Sequence, residues 1–249
     1  MAKILITGAT GRIGRVLTTH LKKEHQLTLV DIAFSDPDKE LVKGTVTKKL
    51  DLSVLENWEN LLNGIEYVIH LAGDPSPEAK FYDSLLDLNY KIPHNLYLEA
   101  SKNNPIKRII FASSIHAVDA YPQNVQVATT DPVRPADLYG VSKVYLEGLA
   151  SHYAFTTGLE SIGIRIGAFR DDDIPAKDDP GAMSDYLSSR DMCHLIDCCL
   201  RATLKQPFLL VNGVSNNTFP RLDIDQARVD IGYQPKDDGF KMYEYFKQD

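Results

Sequence analysis

The stretch "KILITGATGRIG", residues 3–14, constrains the fold more than any other part of the chain. A short apolar run ends at Thr7, and Gly8, Gly11 and Gly14 follow in a G-x-x-G-x-x-G spacing as a helical pattern begins at Arg12. A pyrophosphate needs a tight turn, a backbone it can approach without meeting a side chain, and N–H groups at a helix start. The three glycines meet all three needs. A glycine-rich turn that holds no ligand is the alternative, but the position directly after a first strand favours dinucleotide binding. Gly8, Gly11, Arg12, Ile13 and Gly14 are therefore the expected pyrophosphate contacts.

The apolar runs recur. "KILIT" (3–7), "LTLVD" (27–31), "YVIHLAG" (67–73), "RIIFASS" (108–114) and "SIGIRIG" (161–167) read as buried parallel strands, with a further short strand over Thr45–Leu50. Helical patterns lie between them at Arg12–Lys23, Val54–Leu62, Phe81–Lys102 and Leu138–Thr157. Strand and helix in alternation predict right-handed crossovers and an α/β fold: a doubly wound parallel sheet, the Rossmann fold. Residues 1–166 form the expected dinucleotide domain. Residues 167–249 form a small substrate-binding region, with 189–211, a helix from about Arg190 to Leu204 and the strand "FLLVNG", packing back on the sheet and a last helix entering "IGYQPKDD". The rest of the tail is expected to fold over the carboxyl edge, where such sheets bind ligands.

Charge and composition exclude several partners. Lys plus Arg (27) against Asp plus Glu (34) leaves a net charge of −7, with no source for neutralising a nucleic-acid backbone. The N-terminal apolar run is too short for a signal peptide, and no segment approaches the about 18 apolar residues of a membrane span. A cytoplasmic protein is expected. Cys193, Cys198 and Cys199 contain no C-x-x-C pair, so small buried thiols are expected rather than disulfides or a metal site.

Asp31 ends the second strand, where a carboxylate can accept hydrogen bonds from both ribose hydroxyls and repel a 2′-phosphate. That favours NAD, while Arg12 in the loop keeps NADP open. Asp51 and Leu52, after the third strand, either clamp the adenine or leave Asp51 or Ser53 to cap the next helix. "LYGVSK" puts Tyr139 and Lys143 four residues apart at a helix start, on one side of it. A tyrosine is a poor base at its ordinary pKa of about 10, but a neighbouring ammonium favours the phenolate. Such a residue can take a proton from a hydroxyl as hydride leaves the same carbon. In isolation the pair would read as a solvated helix surface; beside a dinucleotide loop it reads as catalytic.

Taken together, "TGATGRIG", Asp51–Leu52, "HLAG" (70–73), Asn89, Ser113–Ser114, "YGVSK" and "RDM" (190–192) resemble the extended short-chain dehydrogenases/reductases of the NAD-dependent epimerase/dehydratase family. Within it, "FASSIHAVDAYP", "IRIG" and "IGYQPKDD" look most like uronate dehydrogenases and related sugar dehydrogenases. The resemblance implies that Tyr139 is the base, Lys143 its activator and ribose anchor, and Ser114 the hydroxyl that holds the reacting oxygen. It places Leu71, Ala72, Gly73, Asn89 and Ile166 along the cofactor, and Ser76, Ser114, Ile115, His116, Tyr139 and Ala168 around the substrate. It also implies a homodimer through helices 81–102 and 138–157. Three positions depart from the uronate dehydrogenase pattern: Ile115 replaces an asparagine, Ala168 a serine, and Ala182 the arginine that grips a carboxylate. Arg170 or Arg190 is then a candidate for that grip, while Arg190 also fits the family's helix-start R-D pattern, in which it would be structural.

Several residues keep two readings. Asn89 either supports the active-site backbone or is a satisfied buried amide. His70 reads as packed rather than catalytic, His116 as a substrate contact or a loop residue, Ser76 as a substrate contact or turn chemistry, and "RDDD" as a solvated loop or a lid. The expected function is an NAD-dependent sugar dehydrogenase. A nucleotide-sugar epimerase with tightly held NAD would need a larger cap, and a non-catalytic dinucleotide sensor would not need the Ser–Tyr–Lys set.

Overall fold

Seven strands make one sheet in the computed structural model, which describes residues 1–102, 105–170 and 172–243. They are β1 (Lys3–Thr7), β2 (Gln26–Asp31), β3 (Val46–Lys49), β4 (Tyr67–His70), β5 (Arg108–Ser114), β6 (Glu160–Ile166) and β7 (Phe208–Gly213). Every pairing is parallel, in the order β3-β2-β1-β4-β5-β6-β7. The continuous apolar runs follow from burial on both faces. Ile4, Ile6, Ile69, Ile110, Ile162 and Ile164 point into one core, and Leu5, Val68, Ile109 and Phe111 into the other.

The helices are α1 (Arg12–Leu21), α2 (Ile92–Ala100), α3 (Leu138–Thr157), α4 (Pro180–Asp185), α5 (Ser189–Arg201) and α6 (Asp225–Ile231). Leu17 and Leu21 of α1 and Leu195 and Ile196 of α5 cover the first core, while Leu96 of α2 and Leu146 and Ala150 of α3 cover the second. Order reverses between β1 and β4, so their carboxyl ends open the crevice in which such sheets bind dinucleotides.

Two helical expectations change. Val54–Leu62 is a single 3₁₀ turn, Leu55–Trp58, followed by Asn60 at φ +61°, a conformation that ends a helix. Buried Trp58 fixes the turn by donating its Nε1–H to Leu52 O at 2.8 Å. The long helix expected over 81–102 opens in the wider π form at Phe81–Lys91, where the Leu85 N–H reaches Lys80 O five residues back at 3.2 Å. It continues as α2 to Ala100. Pro93 has no N–H to bond four residues back, and its ring would crowd that carbonyl in an unbroken α-helix.

Beyond β6 the chain divides its work. α5 and β7 join the sheet layer, as the Met192, Leu195, Ile196 and Cys199 side chains of α5 enter the core. Ala168 makes a parallel bridge to Tyr186, with its N–H donating to Asp185 O at 2.7 Å, so the segment between folds back over the carboxyl edge. A third cluster, Ile115, Val118, Val127, Val214, Leu222 and Ile224, holds this cap to the end of β5. In the acidic run Arg170 is bidentate to Asp172 at 3.0 and 3.1 Å, and Asp171 lies outside the described residues, as do residues 244–249.

Candidate active site

The glycine loop closes on itself at the end of β1. Gly8 has φ +68° and donates its N–H to Val30 O at 3.0 Å, and a Cβ there would lie 2.8 Å from Ala72 N. A Cβ on Gly14 would collide with the carbonyl oxygen of Gly8, and the Gly11 N–H donates to that same oxygen at 3.1 Å. No side chain caps the first turn of α1, so its N–H groups face the space above the loop. A cradle that any side chain would fill, with a helix start behind it, fits the pyrophosphate of NAD.

Asp31 closes the second wall. Its Oδ2 accepts the Thr10 N–H at 2.9 Å and its Oδ1 the Ile32 N–H at 2.7 Å, so the carboxylate ties the loop to the end of β2 while lining the cavity. Asp51 Oδ1 accepts from Ser53 N and Oγ at 2.9 and 2.7 Å, which makes it a turn cap as well as a cavity residue beside Leu52. On the other side, Thr7 Oγ1 accepts the Leu71 and Ala72 N–H groups at 3.2 Å each and lies 2.8 Å from His70 Nδ1. Burial, with Lys143 nearby, pushes His70 down to about 3, so it is a neutral packed residue. Asn89 stands behind this wall, not on it. Its Nδ2 donates to Asp74 O and Ser142 Oγ, each at 3.0 Å, and its Oδ1 accepts the Asp74 N–H at 2.7 Å.

One continuous cavity of about 800 Å³ runs from this cradle to Ser114, Tyr139 and Lys143. Asp137 caps α3 by accepting the Gly140 N–H at 2.6 Å. A Cβ on Gly140 would collide with His116 O, so this close approach sets the start of α3 against residues 115–117. Tyr139 is thereby brought into the cavity beside Ser114, which favours its ionised form. Lys143 Nζ donates to Ala112 O at 2.9 Å and lies 5.3 Å from the centre of the Tyr139 ring. Burial raises the Tyr139 phenol, Ser114 opposes the rise, and Asp137 and Asp74 add to it. Burial also pushes Lys143 down to about 8. Without a further positive charge beside it, Tyr139 stays a phenol at neutral pH.

The two adjacent serines have different partners. Ser113 donates its hydroxyl to Glu147 at 2.6 Å, and Glu147 is bidentate to Arg165 at 2.9 Å for both bonds. Ser113 therefore serves a buried ion pair, and Ser114 faces the phenol. His116 Nδ1 lies 2.7 Å from Asp137 Oδ2, and its ring meets Tyr139 edge-on at 5.3 Å.

At the far end the lining includes Ile115, His116, Asp119, Ala168, Phe169 and Asp185. Ile115 is mostly packed into the apolar cluster of the cap. Ser76 is not among the lining residues; its Oγ accepts the Glu78 N–H at 3.2 Å in a local turn. Ala182, Arg170 and Arg190 do not line the cavity either: the Ala182 N–H donates to Asp179, Arg170 is paired with Asp172, and Arg190 is bidentate to Asp237. Sequence reasoning passed over Thr10, Asp119, Asp137 and Asp185. Asp137 had a signal, a helix-capping acid two residues before the tyrosine; Asp185 had none, because the Ala168–Tyr186 bridge alone brings it here.

The fold and this cavity define an NAD-dependent oxidoreductase of the extended short-chain dehydrogenase/reductase class. Comparison with known sequences agrees. The chain belongs to the NAD dependent epimerase/dehydratase family, whose sequence profile matches residues 4–169. It is 32% identical to an NAD-dependent glucose-6-phosphate dehydrogenase of Haloferax volcanii, over 94% of this chain and 93% of that one. It is 31% identical to an L-arabinose 1-dehydrogenase (NAD(P)(+)) of the same organism, over 98% of this chain and all (100%) of that one. A mutant uronate dehydrogenase from Agrobacterium tumefaciens complexed with NAD superposes with a TM-score of 0.86 at 29% identity, covering 100% of this chain and 91% of that one.

Proposed function

We propose that this chain oxidises a small sugar at a ring hydroxyl, with Tyr139 as the base and NAD as the oxidant. The observation that carries this reading is the placement of Tyr139 beside Ser114, with Lys143 Nζ 5.3 Å from the centre of its ring, on the wall of the cavity that begins at the glycine cradle. NAD, when bound, supplies the hydride acceptor and a positive charge. Gly8, Gly11, Arg12, Ile13 and Gly14 hold its pyrophosphate, Asp31 its ribose, Asp51 and Leu52 its adenine, and Leu71, Ala72, Gly73 and Ile166 the wall that leads to the reacting carbon. Asn89 acts one step back, by fixing the Asp74 backbone.

Ser114 holds the substrate oxygen, and Tyr139 takes its proton. Lys143 keeps a positive charge beside the resulting phenol–phenolate change and anchors the ribose. His116 and Ala168 touch the sugar, and Ile115 closes the space beside them.

The test is the absorbance of reduced nicotinamide with NAD and a panel of aldoses, uronates and sugar phosphates. Formation of reduced cofactor with any of them supports the reading. NAD that stays bound through purification, with no reduction, would favour an epimerase instead.

Two further parts of this reading concern assembly and place. The helix of residues 81–100 and α3 expose Tyr82, Val141 and Phe155, surface that pairing of two copies would cover. Light scattering is expected to give a dimer, and a monomer at micromolar concentration would contradict it. No described helix is long and apolar enough to cross a membrane, and a cytoplasmic enzyme with a small-molecule substrate is the accompanying expectation.

A further inference from the structure

Three relatives of nearly equal identity act, by their names, on a sugar phosphate, a neutral aldose and a uronate. The residues at the substrate end of the cavity separate these classes. Asp119 and Asp185 line it together with His116, and Asp74 lines the neighbouring wall. The basic side chains on the lining, apart from His116, are Arg12 at the cradle and Lys143 at the tyrosine, whose Nζ already donates to Ala112 O. His116 is held to Asp137 at 2.7 Å and also faces Asp185 electrostatically.

Arg221, outside the lining, is also committed. Arg221 is 5% exposed and gives its guanidinium N–H groups to the backbone carbonyls of Tyr121, Pro122 and Val125. It faces Asp185 electrostatically but has those bonds to lose before it could clamp a ligand carboxylate. Asp185 itself is different. Its Oδ1 is buried and has no hydrogen-bond partner among the described residues, although the residue lines the cavity. A buried acceptor without a partner is costly unless something that enters the site completes it. Burial lifts this carboxyl to about 7, with Arg221 and His116 opposing and Asp119 and Asp179 adding to the rise.

We propose that the substrate is an uncharged aldose whose hydroxyls bond to Asp185 and Asp119, and that these two carboxyls exclude the carboxylate of a uronate and the phosphate of a sugar phosphate. This rests on the dehydrogenase reading above. Hydroxyls can donate to Asp185 in either protonation state, whereas an anion placed there meets the charge of Asp119 and of ionised Asp185 and brings Asp185 Oδ1 no donor. The lining positions Ile115 and Ala168 supply no cation either.

The experiment measures kcat/KM with NAD for an aldopentose, an aldohexose, the uronate and 6-phosphate of that hexose, and its 2-amino analogue. A neutral aldose is expected to exceed the uronate and the phosphate by about tenfold or more. Asp185→Asn is expected to narrow the gap between aldose and uronate several-fold, and Asp119→Asn gives the same comparison should the first variant fail to fold. A uronate, sugar phosphate or amino sugar as the best substrate would overturn the proposal while leaving the dehydrogenase standing. If no sugar reduces NAD, equilibrium binding to the NAD-loaded protein decides. Aldose bound in preference to its uronate and phosphate would support the selectivity assigned to Asp185 and Asp119 and sink the dehydrogenase reading; anions bound equally or more tightly would overturn the proposal as well.

Discussion

The Lys143 ammonium lies 5.3 Å from the centre of the Tyr139 ring and is buried with it, while the lysine's Nζ donates to Ala112 O at 2.9 Å. Burial raises the tyrosine and lowers the lysine toward about 8, so of the two the lysine gives up its proton more readily, and a phenolate at Tyr139 needs positive charge beyond this lysine.

The pair implies a rising pH profile. Burial brings Lys143 to about 8, so its charge, which favours the phenolate, is present below that pH and is lost above it, while the phenolate itself grows as pH rises. For sugar oxidation, kcat/KM is expected to climb with pH up to about 8. Lys143→Ala removes the ammonium and should move the climb to higher pH, toward the ordinary tyrosine range near 10. Initial rates across pH check this, and a flat profile in both proteins would contradict it.

Asp31 couples the glycine loop to the end of β2 through Thr10 and Ile32, and it presents negative charge to the cavity. Asp31→Asn keeps an acceptor oxygen but removes the charge. The ratio of kcat/KM for NADP to that for NAD is expected to rise by about tenfold or more, since a 2′-phosphate no longer meets a carboxylate. An unchanged ratio would show that Asp31 does not face the ribose.

Glu147 neutralises Arg165 in the second core, and both are nearly inaccessible to solvent. Glu147→Ala leaves a buried guanidinium without its partner and is expected to cost about 3–5 kcal/mol of stability. Urea denaturation followed by circular dichroism measures the loss, and a change below about 1 kcal/mol would put the pair in a solvated setting.

Gly8 combines φ +68° with a backbone neighbour 2.8 Å from where a Cβ would stand. Gly8→Ala should cost about 1–2 kcal/mol from conformation alone. NAD affinity should fall further than stability, because the side chain would disturb the cradle. Thermal denaturation with and without NAD separates the two effects, and equal shifts in both states would argue that the loop does not bind the cofactor.

Much of the fold and site was legible from local signals. The glycine spacing, the strand runs and the Tyr139–Lys143 interval depend on neighbours within a turn or two, and each is found where expected. Features that depend on distant contacts were not legible. Val54–Leu62 looked helical until Trp58 found Leu52 O and Asn60 turned the chain, and Pro93 widened the helix before it. Asp185 belongs to a loop-like acidic segment and reaches the cavity only because Ala168 pairs with Tyr186. Ser113 and Ser114 looked alike in sequence; Glu147, thirty-four residues away, separates their roles.

Tyr139→Phe tests the central claim most directly, because it removes one oxygen from the cavity and leaves the cradle, Asp31 and Lys143 in place. Turnover of the best sugar by the purified variant should fall by at least about a hundredfold, while the NAD dissociation constant changes by less than about threefold. A variant that still reduces NAD at the parent rate would contradict the assignment of Tyr139 as the base.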